Sequence, residues 1–317
     1  MTLPVNEILL GDCLARPDGG LKAPFPWFGG KSAVAPLVWE RFGDVPNYVE
    51  PFFGSGAVLL GRPVDHVGNC ETINDKDGYV ANFWRAVTAE PAAVAGWADQ
   101  PVNENDLHAR HIWLVNQRDS FVPRLEGDPK FYDAKIAGWW VWGVCCWIGH
   151  GFCSGQGPWH VVDGQLVHLG DKGQGVNRKR VLITNDGIGC TRRSGGVYEW
   201  FEMLATRLRG VRVCCGDWQR VCGPTPTIKQ GLTGVFLDPP YGVATRSDCY
   251  TEDCRELAHA VRDWAVGHGD DPLLRIGGYG SQSKNGNDNC RRERIWFSPT
   301  CLKPEKRNRQ MDLFERD

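Results

Sequence analysis

The sequence Asp238-Pro239-Pro240-Tyr241 sets a carboxylate, two successive prolines and a phenol ring directly after the apolar run Gly234-Val235-Phe236-Leu237, which reads as a β-strand. Two prolines in a row fix the backbone at a strand end, aim the carbonyls before them and remove competing N–H donors. An aromatic amine is a poor nucleophile because its lone pair is delocalised into the ring. If such an amine donated its N–H groups to the Asp238 carboxylate and the Pro239 carbonyl, the lone pair would localise and the developing positive charge would be stabilised. Tyr241 is suited to stack on the same flat ring. The alternative reading of the segment is a rigid loop.

Four further places carry groups of the same kind. Asn47-Tyr48-Val49-Glu50 reads as a short strand running into Pro51-Phe52-Phe53-Gly54-Ser55-Gly56, and Ala57 to Leu60 can open a helix. The two glycines let backbone approach a ligand beside the Glu50 carboxylate. Leu59 stands where a dinucleotide fingerprint needs its third glycine, which weighs against a nicotinamide cofactor. Asp75 closes a second strand, Glu71 to Asn74, about twenty residues after the turn, where an acid can accept hydrogen bonds from ribose hydroxyls. A nucleoside-bearing cofactor is therefore expected. Gly29-Gly30-Lys31-Ser32 lacks the glycine of a phosphate loop, because Phe25 occupies its position. The segment Pro24 to Lys31 offers instead an aromatic ring at Trp27 and a cation at Lys31, suited to an adenine face and a carboxylate. Asp217, after the strand ending in Cys214-Cys215, is a candidate partner for a cofactor base or an ordinary polar loop residue.

Strands must alternate with helices for these motifs to meet. Tyr79 to Val87 predicts an amphipathic helix that stops before Pro91, Val197 to Arg209 another, and Cys254 to Val266 a third. Val211 to Cys215, Leu273 to Ile276 and Arg294 to Phe297 predict further strands, so the class is α/β with a parallel sheet. In such sheets ligands sit outside the carboxyl ends of the strands, where the Glu50 turn, Asp75, Asp217 and Asp238 fall. Gly277 to Asn289 is rich in Gly, Ser and Asn and reads as a flexible loop. Residues 1–22 read as an N-terminal arm. From residue 91 to about 195 the texture changes to a polar helical stretch, a Trp-rich segment from Trp139 to Trp147, and a Gly- and His-rich run. We expect an inserted domain there, between catalytic segments 23–90 and 196–317.

The 317 residues are 42% hydrophobic and 23% charged, which argues against a collagen-like, disordered or coiled-coil chain. No apolar run is long enough to span a membrane, and the N-terminus lacks the pattern of a signal peptide. A cytoplasmic protein with no membrane partner is expected, its 13 cysteines reduced. Cys145, Cys146, His150, Cys153, His160 and His168 have spacings unlike paired metal-ligand motifs, so no metal is expected. The net charge of −2 leaves any attraction for nucleic acid to local patches: Arg178-Lys179-Arg180, Arg192-Arg193, Arg291-Arg292 with Arg294, and the tail from Lys303 to Arg309.

Taken together and in order, Pro24 to Lys31, Glu50 to Gly56, Asn74-Asp75, Asp217 and Asp238 to Tyr241 resemble the Dam-type, alpha-group family of DNA adenine-N6 methyltransferases. The resemblance spans residues 23–90 and about 196–300. It implies a Rossmann-like sheet with an inserted target-recognition domain at 91–195, and S-adenosylmethionine as cofactor. It implies cofactor contacts at Trp27, Lys31, Asp75 and Asp238, with Phe52, Gly54, Gly56 and Asp217 nearby, and a catalytic loop of Asp238, Pro239, Pro240 and Tyr241. The substrate would be double-stranded DNA in a bacterial cell or phage-infected host, and the enzyme would act alone or beside a separate restriction nuclease. A target amine inside a duplex must first be flipped out. The insert departs from the family: Gly149 to Gly155 stands about where the Asn-Gly-Leu-Tyr-Arg type signature falls. Arg178, Lys179, Arg180, Arg192 and Arg193 are the expected phosphate contacts, and Trp139, Trp140, Trp142, Trp147 and Trp159 either stack on bases or pack a core. Rival readings are the same chemistry on cytosine or RNA, and a non-catalytic nucleic-acid-binding protein.

Overall fold

The computed structural model describes residues 21–27, 31–66, 70–147, 152–153, 159–168, 196–240, 252–281 and 293–303. The first twenty residues, Tyr241 and the basic residues at 178–180 and 192–193 lie outside them. The described elements begin with α1 (Ala35–Phe42), β1 (Asn47–Glu50), α2 (Ala57–Leu60), β2 (Cys70–Asp75) and α3 (Gly78–Ala89). The helices α4 (Pro91–Ala98), α5 (Glu104–Gly127) and α6 (Ala134–Cys146) follow, then the hairpin β3 (Trp159–Val162) and β4 (Gln165–His168). The chain continues through α7 (Gly196–Leu208), β5 (Val211–Cys215), α8 (Gln219–Cys222), β6 (Thr233–Leu237), α9 (Glu252–His268), β7 (Leu274–Ser281) and β8 (Glu293–Phe297).

Six strands form one sheet in the order β5-β2-β1-β6-β7-β8, and β3 and β4 form a separate antiparallel pair. Every neighbour in the large sheet is parallel except β7–β8. This is a mixed α/β sheet of Rossmann-like type, as expected. Residue alternation assigns its two faces: Tyr48, Ile73 and Phe236 join Trp39, Phe42, Phe83, Trp84 and Phe201 on one side. Val49, Val235, Leu237 and Ile276 join Trp218, Val221, Val261 and Ala265 on the other. Burial on both faces explains the continuous apolar run Gly234 to Leu237 of the central strand β6.

Helix boundaries follow capping chemistry. The Asp77 carboxylate accepts from the Tyr79 N–H at the start of α3, Pro91 occupies the first turn of α4, Asn103 caps α5 and Asp133 caps α6. The helices α4 to α6 lie in the stretch expected to form the inserted domain, yet they share the core of α3 and α7. Val94, Ala95, Leu107, Trp140 and Trp142 belong to the same buried cluster as Phe83, Trp84 and Phe201. No break in the core falls at residue 90. Gly138 lets α4 and α6 close up, because a Cβ there would stand 2.3 Å from the Trp97 Cβ. Trp140, Trp142 and Trp147 are thus core side chains, whereas Trp139 is only partly buried.

Arg85 locks this helical layer to the sheet. Its guanidinium donates to the carbonyls of Val213 on β5, Leu125 on α5, and Asp128 and Phe131 in the loop to α6.

The expected loop at residues 277–289 is corrected in its first part. β7 continues through Gly277 to Ser281 and pairs with β8. A Cβ on Gly277 would lie 3.1 Å from the Phe297 ring, and one on Gly278 only 2.2 Å from Trp296. These glycines make room for cross-strand aromatic rings instead of loosening the chain.

Candidate active site

Because β1 lies between β2 and β6, the chain leaves β1 in one direction and returns on its other side. That makes the carboxyl ends of β1 and β6 a topological switch point, the place where open α/β sheets bind ligands. β1 ends in Glu50 and the Gly54 turn, and β6 ends in Leu237, followed by Asp238, Pro239 and Pro240.

The turn is built by both its glycines. Gly54 and Gly56 have φ of 48° and 65°, values that side chains on Cβ disfavour. A Cβ on Gly54 would stand 2.4 Å from Trp27 Nε1, and one on Gly56 2.4 Å from the Phe53 ring. The Gly54 backbone is held at both polar ends: its N–H donates to Asp75 Oδ2 at 2.9 Å, and its carbonyl accepts from the Trp84 indole at 2.9 Å. Trp27 is 39% exposed, so its ring roofs the turn while remaining open to solvent. Asn74 ties the neighbouring loops together, donating to the carbonyls of Pro51 and Gly216.

Asp75 uses both carboxylate oxygens, since Oδ1 accepts from the Asp77 N–H at 2.8 Å. Burial, with the Asp77 charge beside it, nevertheless pushes the Asp75 carboxyl up to about 7, against the pull of those N–H donors. Glu50 is 3% exposed and accepts from the Tyr48 hydroxyl at 2.8 Å. Burial raises its carboxyl well above the usual range, opposed by the Tyr48 bond and reinforced by the charge of Asp238.

Lys31 brings the first and last motifs together. Its Nζ lies 3.0 Å from Asp238 Oδ2, with side-chain exposures of 9% and 20%. The Lys31 carbonyl accepts from the N–H groups of Val34 and Ala35, which fixes its backbone at the entrance to α1. Phe52 is partly buried against Trp218, with ring centroids 6.1 Å apart.

The predicted residues therefore converge in two linked groups: Trp27, Gly54, Gly56 and Asp75 around the turn, and Lys31 with Asp238 at the end of β6. Asp217 stands further out, at the end of edge strand β5, exposed and accepting from the Gln219 N–H at 2.8 Å. Sequence reasoning passed over Trp84 and Trp218. Trp84 sits within α3 between Phe83 and Arg85 and carries no signal that its indole serves the turn, but Trp218 directly follows a singled-out aspartate. Cys145, Cys146 and Cys153 are buried free thiols, and Cys153 Sγ lies 3.8 Å from Nδ1 of His111, a histidine outside the expected cluster.

A mainly parallel sheet thus brings Trp27, the Gly54 turn, Asp75 and the Lys31–Asp238 pair to its switch point. Residues 27–121 match the family model of the D12 class N6 adenine-specific DNA methyltransferases. That part of the chain is similar to the adenine-specific DNA methyltransferases, in keeping with the resemblance carried by the motifs. The match contains Trp27, Lys31, the Gly54 turn and Asp75, and ends within α5. A comparison with curated proteins gave no match.

Proposed function

We propose that the crevice between the ends of β1 and β6 binds S-adenosylmethionine and methylates the N6 amine of an adenine flipped out of double-stranded DNA. The observation that carries this reading is the 3.0 Å Lys31–Asp238 ion pair, which joins the family-matched segment to the Asp-Pro-Pro strand end beyond it. The chain's groups fit the cofactor. The Gly54 cradle is one that a Cβ would fill, Asp75 retains lone pairs for ribose hydroxyls, and Lys31 suits a carboxylate. The Asp238 carboxylate, with Asp75 when ionised, favours a ligand bearing positive charge.

When bound, the cofactor supplies a methyl group on a sulfonium, already a good leaving group. Asp238 and the Pro239 carbonyl accept the amine's N–H groups and stabilise its developing charge, while Tyr241 stacks on the base. Asp238, or solvent beside it, would take the surplus proton that the methylated amine would carry. Much of the acceleration is positional, because the turn and the Asp-Pro-Pro end hold both partners in line.

We assign target recognition to residues 91–195, with α4 to α6 as its base on the catalytic core. Arg178, Lys179, Arg180, Arg192 and Arg193 supply phosphate contacts. The protein works in the cytoplasm, alone or beside a separate nuclease. Incubation of unmodified DNA with isotope-labelled S-adenosylmethionine, followed by nucleoside mass spectrometry, tests the reaction. Labelled N6-methyladenine is expected; label on cytosine, or on RNA alone, would replace adenine in DNA as the substrate.

A further inference from the structure

We propose that Lys31 gates Asp238: their ion pair occupies the catalytic carboxylate until Lys31 exchanges it for the carboxylate of the cofactor. The inference rests on the cofactor and base-flipping reading above. Lys31 Nζ and Asp238 Oδ2 are 3.0 Å apart with little exposure on either side chain, so water and salt screen the pair less than a surface contact. A carboxylate paired with an ammonium is a weaker acceptor for an amine that gains positive charge. A neutral amine arriving alone offers little to displace Lys31.

The neighbouring acids are held by donors that no ligand needs to move. Tyr48 donates to Glu50, and backbone N–H groups of Gly54 and Asp77 donate to Asp75. Lys31 differs because its backbone is fixed at the start of α1 while its flexible stem carries a point charge that can change partner without reorienting a planar group. The cofactor's charged amino-acid end therefore does two things: it holds Lys31, and it releases Asp238 to the base. Cofactor binding and base capture are coupled through one side chain, with cofactor first.

The test uses a duplex carrying 2-aminopurine at the methylated adenine, whose fluorescence rises on extrusion. With wild-type protein, the non-reactive S-adenosylhomocysteine should strengthen base capture about tenfold or more. 5′-Methylthioadenosine, which lacks the carboxylate, should not do so even at saturation. Lys31→Met should capture the base equally with and without S-adenosylhomocysteine, whereas Lys31→Arg should keep the dependence. Equal wild-type capture with both nucleosides, or cofactor-dependent capture by Lys31→Met, would overturn the gate. If Lys31→Met fails to fold, the wild-type comparison of the two nucleosides decides. No capture in any arm together with no methyl transfer would remove the underlying reading, whereas transfer with cofactor-independent capture removes the gate alone.

Discussion

Asp75 carries opposing demands in one carboxyl group. Burial holds its proton up to about 7, yet a ribose hydroxyl donates best to the ionised form. Below that pH the carboxyl is protonated and a poorer acceptor, so cofactor affinity should rise as pH increases through about 7. Calorimetry across about pH 6–8 should show that rise in the wild type and a weaker, flatter profile for Asp75→Asn. A flat wild-type profile would take the ribose away from Asp75. Gly54 is constrained by position and conformation at once, with φ of 48° and Trp27 Nε1 2.4 Å from where a Cβ would be. Gly54→Ala should therefore cost about 1–3 kcal/mol of stability and weaken cofactor binding as Trp27 is pushed off the turn. Unchanged melting temperature and affinity would show that the cradle is not used.

At the scale of elements, the strands that meet at the proposed site were the most legible, because short runs with β-branched or aromatic residues end in the acids Glu50, Asp75 and Asp238. β1, β2, β5 and β6 appear within about a residue of expectation. The reach of β7 was not legible, since Gly277 and Gly278 have the composition of a loop and their reason lies across the sheet in Phe297 and Trp296. The same limit hid the Trp84–Gly54 bond, a contact between side chain and backbone 30 residues apart. The Lys31–Asp238 pair joins positions more than two hundred residues apart, which no local pattern in the sequence could show. Gly278→Val should separate β7 from β8 and cost about 1–3 kcal/mol by overpacking. Trp296→Ala should recover part of that loss, as thermal melts of the single and double variants would report; additive losses would refute the close fit.

Across the whole molecule, α4 to α6 share the buried core of α3 and α7, so the region proposed to read DNA would stand on a base that shares its stability with the proposed site. Arg85 is the clearest link, and Arg85→Met would leave four backbone carbonyls without their charged donor. We expect a loss of about 3 kcal/mol or more, seen as a single lowered unfolding transition; an unchanged melt would mean that packing alone joins helices and sheet. Phosphate contacts belong to the same scale. Arg178→Ala with Lys179→Ala should reduce the slope of log affinity against log salt by about 1–2, and an unchanged slope would move the DNA path elsewhere. The central claim is that the strand end at Asp238 completes a methyltransferase site begun at Trp27 and the Gly54 turn. Its most direct test is the rate of labelled methyl transfer to adenine in DNA by the wild type and by Asp238→Ala, each checked for an intact fold by its melting curve. Transfer by the wild type with a loss of about a hundredfold or more in the folded variant is predicted, and comparable rates for the two proteins would contradict the account.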